Sequence, residues 1–121
     1  MVARRRVFPL QERIDRRRTR LESSLAWFVE RCRALPDVRA VYVFGSMATG
    51  KLGPNSDLDL LVVRDTPIES RIERAVDLVA AYRGGVGLDV IVVTPEEFEQ
   101  RLPASSFGQT LLGTSRLVYA A

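Results

Sequence analysis

The segment Val41–Val63, VYVFGSMATGKLGPNSDLDLLVV, constrains this chain more than any other. Val41, Tyr42, Val43 and Phe44 form a β-branched and aromatic run that Gly45-Ser46 ends. Gly50, Gly53, Pro54, Asn55 and Ser56 then punctuate a connection, and Leu58 to Val63 is apolar enough for a buried strand. Two residues resist that burial, Asp57 and Asp59. Side chains two apart on a strand share a face, with Cα atoms about 6–7 Å apart. Paired carboxylates beside Leu and Val repel each other and are costly to bury without a counter-charge. A divalent cation is the simplest counter-charge, and hard oxygen donors suit Mg²⁺.

Gly45-Ser46, ten intervening residues (Met47 to Ser56) and Asp57-Leu58-Asp59 resemble the GS-x10-DxD signature of minimal nucleotidyltransferases in the DNA polymerase β-like superfamily. A lone DxD is a weak signal, but three features at fixed spacing are specific. The resemblance covers about residues 38–120 and directs attention to Asp89, in the apolar run LDVIVV. It implies a third acid on a strand beside Asp57 and Asp59. By the same resemblance, Asp57, Asp59 and Asp89 hold two Mg²⁺ ions about 3.5–4 Å apart, and ATP is the substrate. A hydroxyl then attacks the α-phosphorus and pyrophosphate leaves, with Asp89 as proton acceptor or metal ligand near that hydroxyl.

Gly45 and Ser46 have a physical reason to face the acids. Glycine lets a backbone approach phosphate oxygens closely, and amides at a turn opening a short helix attract anions. Ser46 adds a hydroxyl donor and can also serve as a helix N-cap. Lys51, in the loop, is a candidate phosphate contact, its other reading being a solvated loop lysine. Many relatives carry a basic residue directly after the Gly-Ser pair, where this chain has Met47.

The 121 residues, 46% hydrophobic, fit one domain with a single modest core. There is no histidine, which removes the usual general base, the Ser-His-Asp triad and most zinc sites. One cysteine, Cys32, excludes an internal disulfide and fits a reducing cytoplasm. No secretory h-region and no apolar run of about 20 residues is seen, so no membrane role is expected. The net charge of +3 hides an asymmetry: residues 1–39 hold 11 arginines against 5 acids, whereas residues 40–121 hold 7 basic and 10 acidic groups. The basic half could meet nucleic acid or an acidic protein, or be a solvated helix face.

In chain order, residues 1–9 read as a loose basic arm. Ile14, Leu21, Leu25, Phe28, Cys32 and Leu35 mark an amphipathic helix over 10–35, with Trp27 at the core edge and arginines, including Arg13, Arg16, Arg17 and Arg20, filling much of the other side. Thr66-Pro67 is expected to open a second helix to about Arg83, with Ile68, Ile72, Ala75, Val76, Val79 and Tyr82 on its apolar stripe. Further short helices are expected over about 95–102 and 105–112, and an edge strand over 116–119. The fold class expected is α+β, a small mixed sheet with helices packed on one face.

This short architecture resembles the MNT antitoxins, which pair with HEPN-domain toxins and are understood to silence them by transferring AMP to a toxin tyrosine. The resemblance implies an acceptor held by a partner or a second copy. One alternative is a small-molecule nucleotidyltransferase acting on an aminoglycoside-like substrate. Another is a non-catalytic antitoxin that neutralises its partner by binding. A nucleic-acid face on the basic helix ranks last, because no aromatic residues interleave with the arginines.

Overall fold

In the computed structural model, residues 9–121 are described; the arm expected over residues 1–9 lies outside them except for Pro9. Helix α1, Leu10–Arg33, starts after Pro9, whose carbonyl accepts the Glu12 and Arg13 amides. Its last turn carries Arg31 and Arg33, favourable against the negative helix end. Pro36 disfavours helical geometry at Leu35 and stops it. Leu21, Ser24, Phe28 and Cys32 are its buried positions.

Four strands form one mixed sheet in the order β3-β2-β1-β4. Strand β1 (Val38–Phe44) runs antiparallel to β2 (Leu58–Arg64) and to β4 (Arg116–Ala120), while β2 and β3 (Leu88–Val93) are parallel. A parallel pair needs a crossover, supplied by helix α3, Arg71–Val79. Alternation along β2 sends Leu58, Leu60 and Val62 into a core with α1 residues Leu21, Phe28 and Cys32 and with Leu78 of α3. Leu61 and Val63 point to the other face. The expected one-sided helical layer holds for α1 and α3. The opposite face gains a smaller cover from Phe98, Leu102 and Leu111, the last on helix α4, Ser106–Thr114.

The crossover helix starts later than its Thr66-Pro67 signal indicates. Ser70 caps it, accepting the Glu73 amide at 3.3 Å. Arg74 Nε donates to the Ile68 carbonyl, the group that a helix begun at Thr66 would offer to Ile72, and Thr66 Oγ1 accepts the Ile68 amide in a local turn. The helix expected from Pro95 opens with a reciprocal cap between Thr94 and Glu97. It then continues as a π-helical turn, Glu97–Arg101, and a 3-10 turn, Leu102–Ala104, that accommodates Pro103 in its first turn. No helix among the described residues is long and apolar enough to cross a membrane.

Two buried arginines tie these layers together. Arg64, at the end of β2, makes a two-pronged pair with Asp77 (2.6 and 2.7 Å) and donates Nε to Asp37 at 2.7 Å. Arg74 reaches Glu97 at 2.7 Å. Among the described residues, no buried side-chain polar atom lacks a hydrogen-bond partner.

Candidate active site

The acidic residues gather at the start of the two parallel strands. The Leu58 amide donates to the Gly87 carbonyl at 2.9 Å, aligning the strand starts and placing Asp59 opposite Asp89 in register. Asp57 stands one residue before β2, on the Asp59 side of the alternation. Gly87 lies close beneath it, since a Cβ added there would be 2.7 Å from Asp57 Oδ1. The sheet thus brings all three predicted carboxylates to one end of neighbouring strands. Asp59 is half-buried, and Asp57 and Asp89 are exposed.

The Gly45-Ser46 turn meets these acids from β1. Phe44 pairs with Asp59 across the ladder, and Gly45 follows with φ 70° and ψ −150°. A Cβ at Gly45 would collide with Asp59 Oδ2, so both the left-handed backbone and the close approach require glycine. Ser46 is the first residue of the short helix α2, Ser46–Thr49. Gly45 occupies the cap position and no side chain caps the helix, so the N-cap role open to Ser46 is not used. Met47 packs against the main core beside Ala48 and Leu52. That packing gives a structural reason for an apolar residue where relatives carry a cation. Lys51 is exposed in the connecting loop and makes no ion pair with the aspartates.

Burial raises the Asp59 pKa above the ordinary carboxylate range, and the charges of Asp89 and then Asp57 push it the same way. One cation answers them from a distance. Arg17 of α1, its side chain only 14% exposed, donates Nε to the Ser56 carbonyl at 2.8 Å and brings Nη2 to 3.8 Å from Asp57 Oδ1. Sequence reading grouped Arg17 with the solvent-facing arginines. The missed signal is its spacing: it lies three after Ile14 and four before Leu21, on the apolar stripe itself. Arg31 is likewise engaged, donating to the Asp77 carbonyl, and Arg18 and Arg33 pair along the helix with Asp15 and Glu30.

The all-oxygen donor set has the chemistry for Mg²⁺, and the raised Asp59 pKa is the mark of negative charge lacking compensation. Among the described residues, however, no three such side chains converge as a ready-made metal cage. Asp57 instead leans toward Arg17. Mutual repulsion and that cation both favour a spread arrangement.

Beside the acids runs an apolar groove of about 820 Å³, between α3, the outer side of β3 and α4. The apolar stripe of α3 is in large part its wall: Ile72 is 81% and Val76 54% exposed, and Phe107 of α4 is 65% exposed. Arg71 and Arg101 stand at the far end, and Gly87 and Leu88 at the end nearest the acids.

The nucleotidyltransferase domain model matches residues 25–112 of the chain. A candidate protein adenylyltransferase of Methanocaldococcus jannaschii is 30% identical over 82 residues, spanning 68% of this chain and 79% of that protein. A candidate nucleotidyltransferase from Sulfolobus solfataricus, solved as a crystal structure, superposes with a TM-score of 0.66 at 22% identity, covering 89% of this chain and 87% of that one. A toxin-antitoxin crystal structure with AMP-PNP gives a TM-score of 0.52 at 20% identity, covering 83% and 73%. At these identities the two crystal structures speak for a shared fold.

Proposed function

We propose that this chain, which belongs to the nucleotidyltransferase domain family, transfers AMP from ATP to a hydroxyl of a partner protein, as the antitoxin of a HEPN-type toxin. The observation that carries the reading is the in-register pair Asp59 and Asp89, with Asp57 adjoining and the Gly45 backbone against Asp59. The M. jannaschii relative, itself a candidate protein adenylyltransferase, supports the acceptor class. The toxin-antitoxin structure carrying AMP-PNP supports the nucleotide and the kind of partner.

Asp57, Asp59 and Asp89 would hold Mg²⁺, which when bound supplies charge neutralisation for the triphosphate and acidifies an acceptor hydroxyl. The chain's own groups do the positioning. The Gly45-Ser46 turn offers backbone amides and a hydroxyl to phosphate oxygens. Asp89, exposed on the edge strand, takes the acceptor's proton as the acceptor oxygen bonds to the α-phosphorus. The bond from that phosphorus to the bridging oxygen breaks, and pyrophosphate departs. With no histidine in the chain, orientation and charge account for most of the acceleration.

The apolar groove with arginines at its far end is a poor match for a polycationic aminoglycoside, which argues against the small-molecule alternative. The spread carboxylates and the packed Met47 favour, as a second reading, neutralisation by binding alone. A reducing cytoplasm suits the buried thiol of Cys32, whose pKa burial raises to about 11. Intact-mass spectrometry separates the two readings. The chain is incubated with Mg²⁺, mixed nucleoside triphosphates and the product of the adjacent gene, with Asp57→Ala as control. A partner mass gain of one or more AMP units, absent in the control, supports transfer. A stable complex with no gain supports occlusion.

A further inference from the structure

The edge strand of the sheet carries unused pairing capacity next to the acids. In β3 the Gly87 carbonyl turns inward to Leu58, so alternation leaves the amides and carbonyls of Leu88 and Val90 on the outer edge. Farther along, the Val92 carbonyl receives Arg74 Nη1 at 3.4 Å, which closes the edge there. The open stretch is therefore short and flanks Asp89. Over it stand the exposed apolar walls of the groove, Ile72 and Val76 on one side and Phe107 on the other. Exposed edges with apolar flanks are templates for an added strand.

We infer that this edge is the docking site of the acceptor protein, which enters as an extended segment and pairs with β3 at Leu88 and Val90. The inference rests on the transfer reading for what happens at the acidic end. Charge selects the occupant. Arg71 and Arg101 mark the end away from the aspartates, and Arg101 is held only loosely by Glu97, at 3.9 Å. The segment therefore carries a carboxylate at that end, apolar side chains at alternate positions between, and its hydroxyl beside Asp89. From Asp89 to Val93 the strand advances about 13 Å, so hydroxyl and carboxylate lie about four to five residues apart. The groove supplies a reason for the exposed α3 stripe that folding of the chain alone does not.

The test uses a phage-displayed library of random dodecapeptides, selected on the full chain and depleted on Ile72→Glu/Val76→Glu. Both substituted positions are exposed, and circular dichroism checks that the variant folds. The expected peptides alternate apolar residues and carry Asp or Glu four or five residues from a Tyr, Ser or Thr. Synthetic copies should bind wild type at least tenfold more tightly than the variant, and lose as much on N-methylation at the pairing positions. Arg71→Glu/Arg101→Glu should reverse the preference toward copies with Lys at the acidic position. No enrichment over the variant, or indifference to N-methylation, overturns the proposal. A chain that sediments as a dimer and becomes monomeric in Ile72→Glu/Val76→Glu overturns it too, by assigning the face to a second copy. Calorimetric binding of a non-hydrolysable ATP analogue with Mg²⁺ should be unchanged in both groove variants. Peptide binding without nucleotide binding or transfer leaves the docking face standing and removes the transfer reading. Transfer to the partner protein at an equal rate in the groove variants removes the docking face alone.

Discussion

Arg64 and Asp59 both belong to β2, five residues apart, yet their surroundings are opposite. Arg64 is buried with its charge answered by Asp77 and Asp37, and these contacts and their charges outweigh desolvation to strengthen its hold on its proton. Asp77 is held below the ordinary carboxylate range, first by its hydrogen bonds from Arg64. At Asp59 burial raises the pKa first, and the charges of Asp89 and Asp57, having its own sign, push it the same way. A charge cluster that holds a fold together contains its own neutralisation, whereas one that receives a ligand leaves it to the ligand. Perturbation in the second direction is the stronger marker of chemistry.

Breaking the first cluster should have the largest effect on stability. Arg64→Ala removes a buried guanidinium and its hydrogen bonds to two partly exposed carboxylates and should cost about 2–4 kcal/mol, read by urea denaturation. The matching change in the second cluster should act on rate instead. Asp59→Asn should lower nucleotide transfer by about 10²–10³-fold or more, with urea stability unchanged or raised as repulsion with Asp89 and Asp57 is relieved. A clear loss of stability would mean that Asp59 is a structural acid like Asp77. Gly45→Ala joins the two effects. Its left-handed backbone and its collision with Asp59 should cost about 1–3 kcal/mol, and the displaced carboxylate should lower transfer as well.

Acidification sharpens the contrast through sign alone. Asp59 binds its proton more tightly folded than unfolded, so its penalty develops as pH rises through the carboxylate range and is absent below it. The stability gain of Asp59→Asn should therefore be seen at neutral pH and vanish in acid. Asp77 contributes stability above its unfolded pKa and loses it as pH falls through its depressed folded value. Asp77→Asn should thus be destabilised at neutral pH and converge on wild type in acid. Paired urea titrations at neutral and acidic pH check both. The smallest effect is expected at Arg17→Gln, about 1 kcal/mol of stability through the lost Ser56 hydrogen bond.

The strands, α1 and the meeting of Gly45 with the acids were legible because each follows from a local rule. β-Branched runs, a stripe at helical spacing and glycine where a backbone must come close all leave marks in the sequence. The parallel neighbour of β2 was reached through the family resemblance. Arg17 escaped notice because an arginine reads as solvated unless its place on the stripe outweighs its charge. The late start of α3 was hidden because Arg74 takes the Ile68 carbonyl, a side-chain contact that no capping rule anticipates. The apolar stripe of α3 marked the helix but not its exposure at Ile72 and Val76, since periodicity shows that a face needs cover but not that the same chain provides it.

Trp27, described above only as packing, also gives this chain an optical handle. It is the only tryptophan. Its indole sits edge-on to Tyr82 at 5.5 Å, and the Tyr82 hydroxyl donates to the Val86 carbonyl at 2.8 Å. Val86 leads to Gly87, the residue that joins the starts of β2 and β3. A single emitter is thus coupled by contact to the turn that sets Gly87 beneath Asp57 and starts the strand carrying Asp89. Its fluorescence can follow events at that turn with no dye attached and no residue replaced.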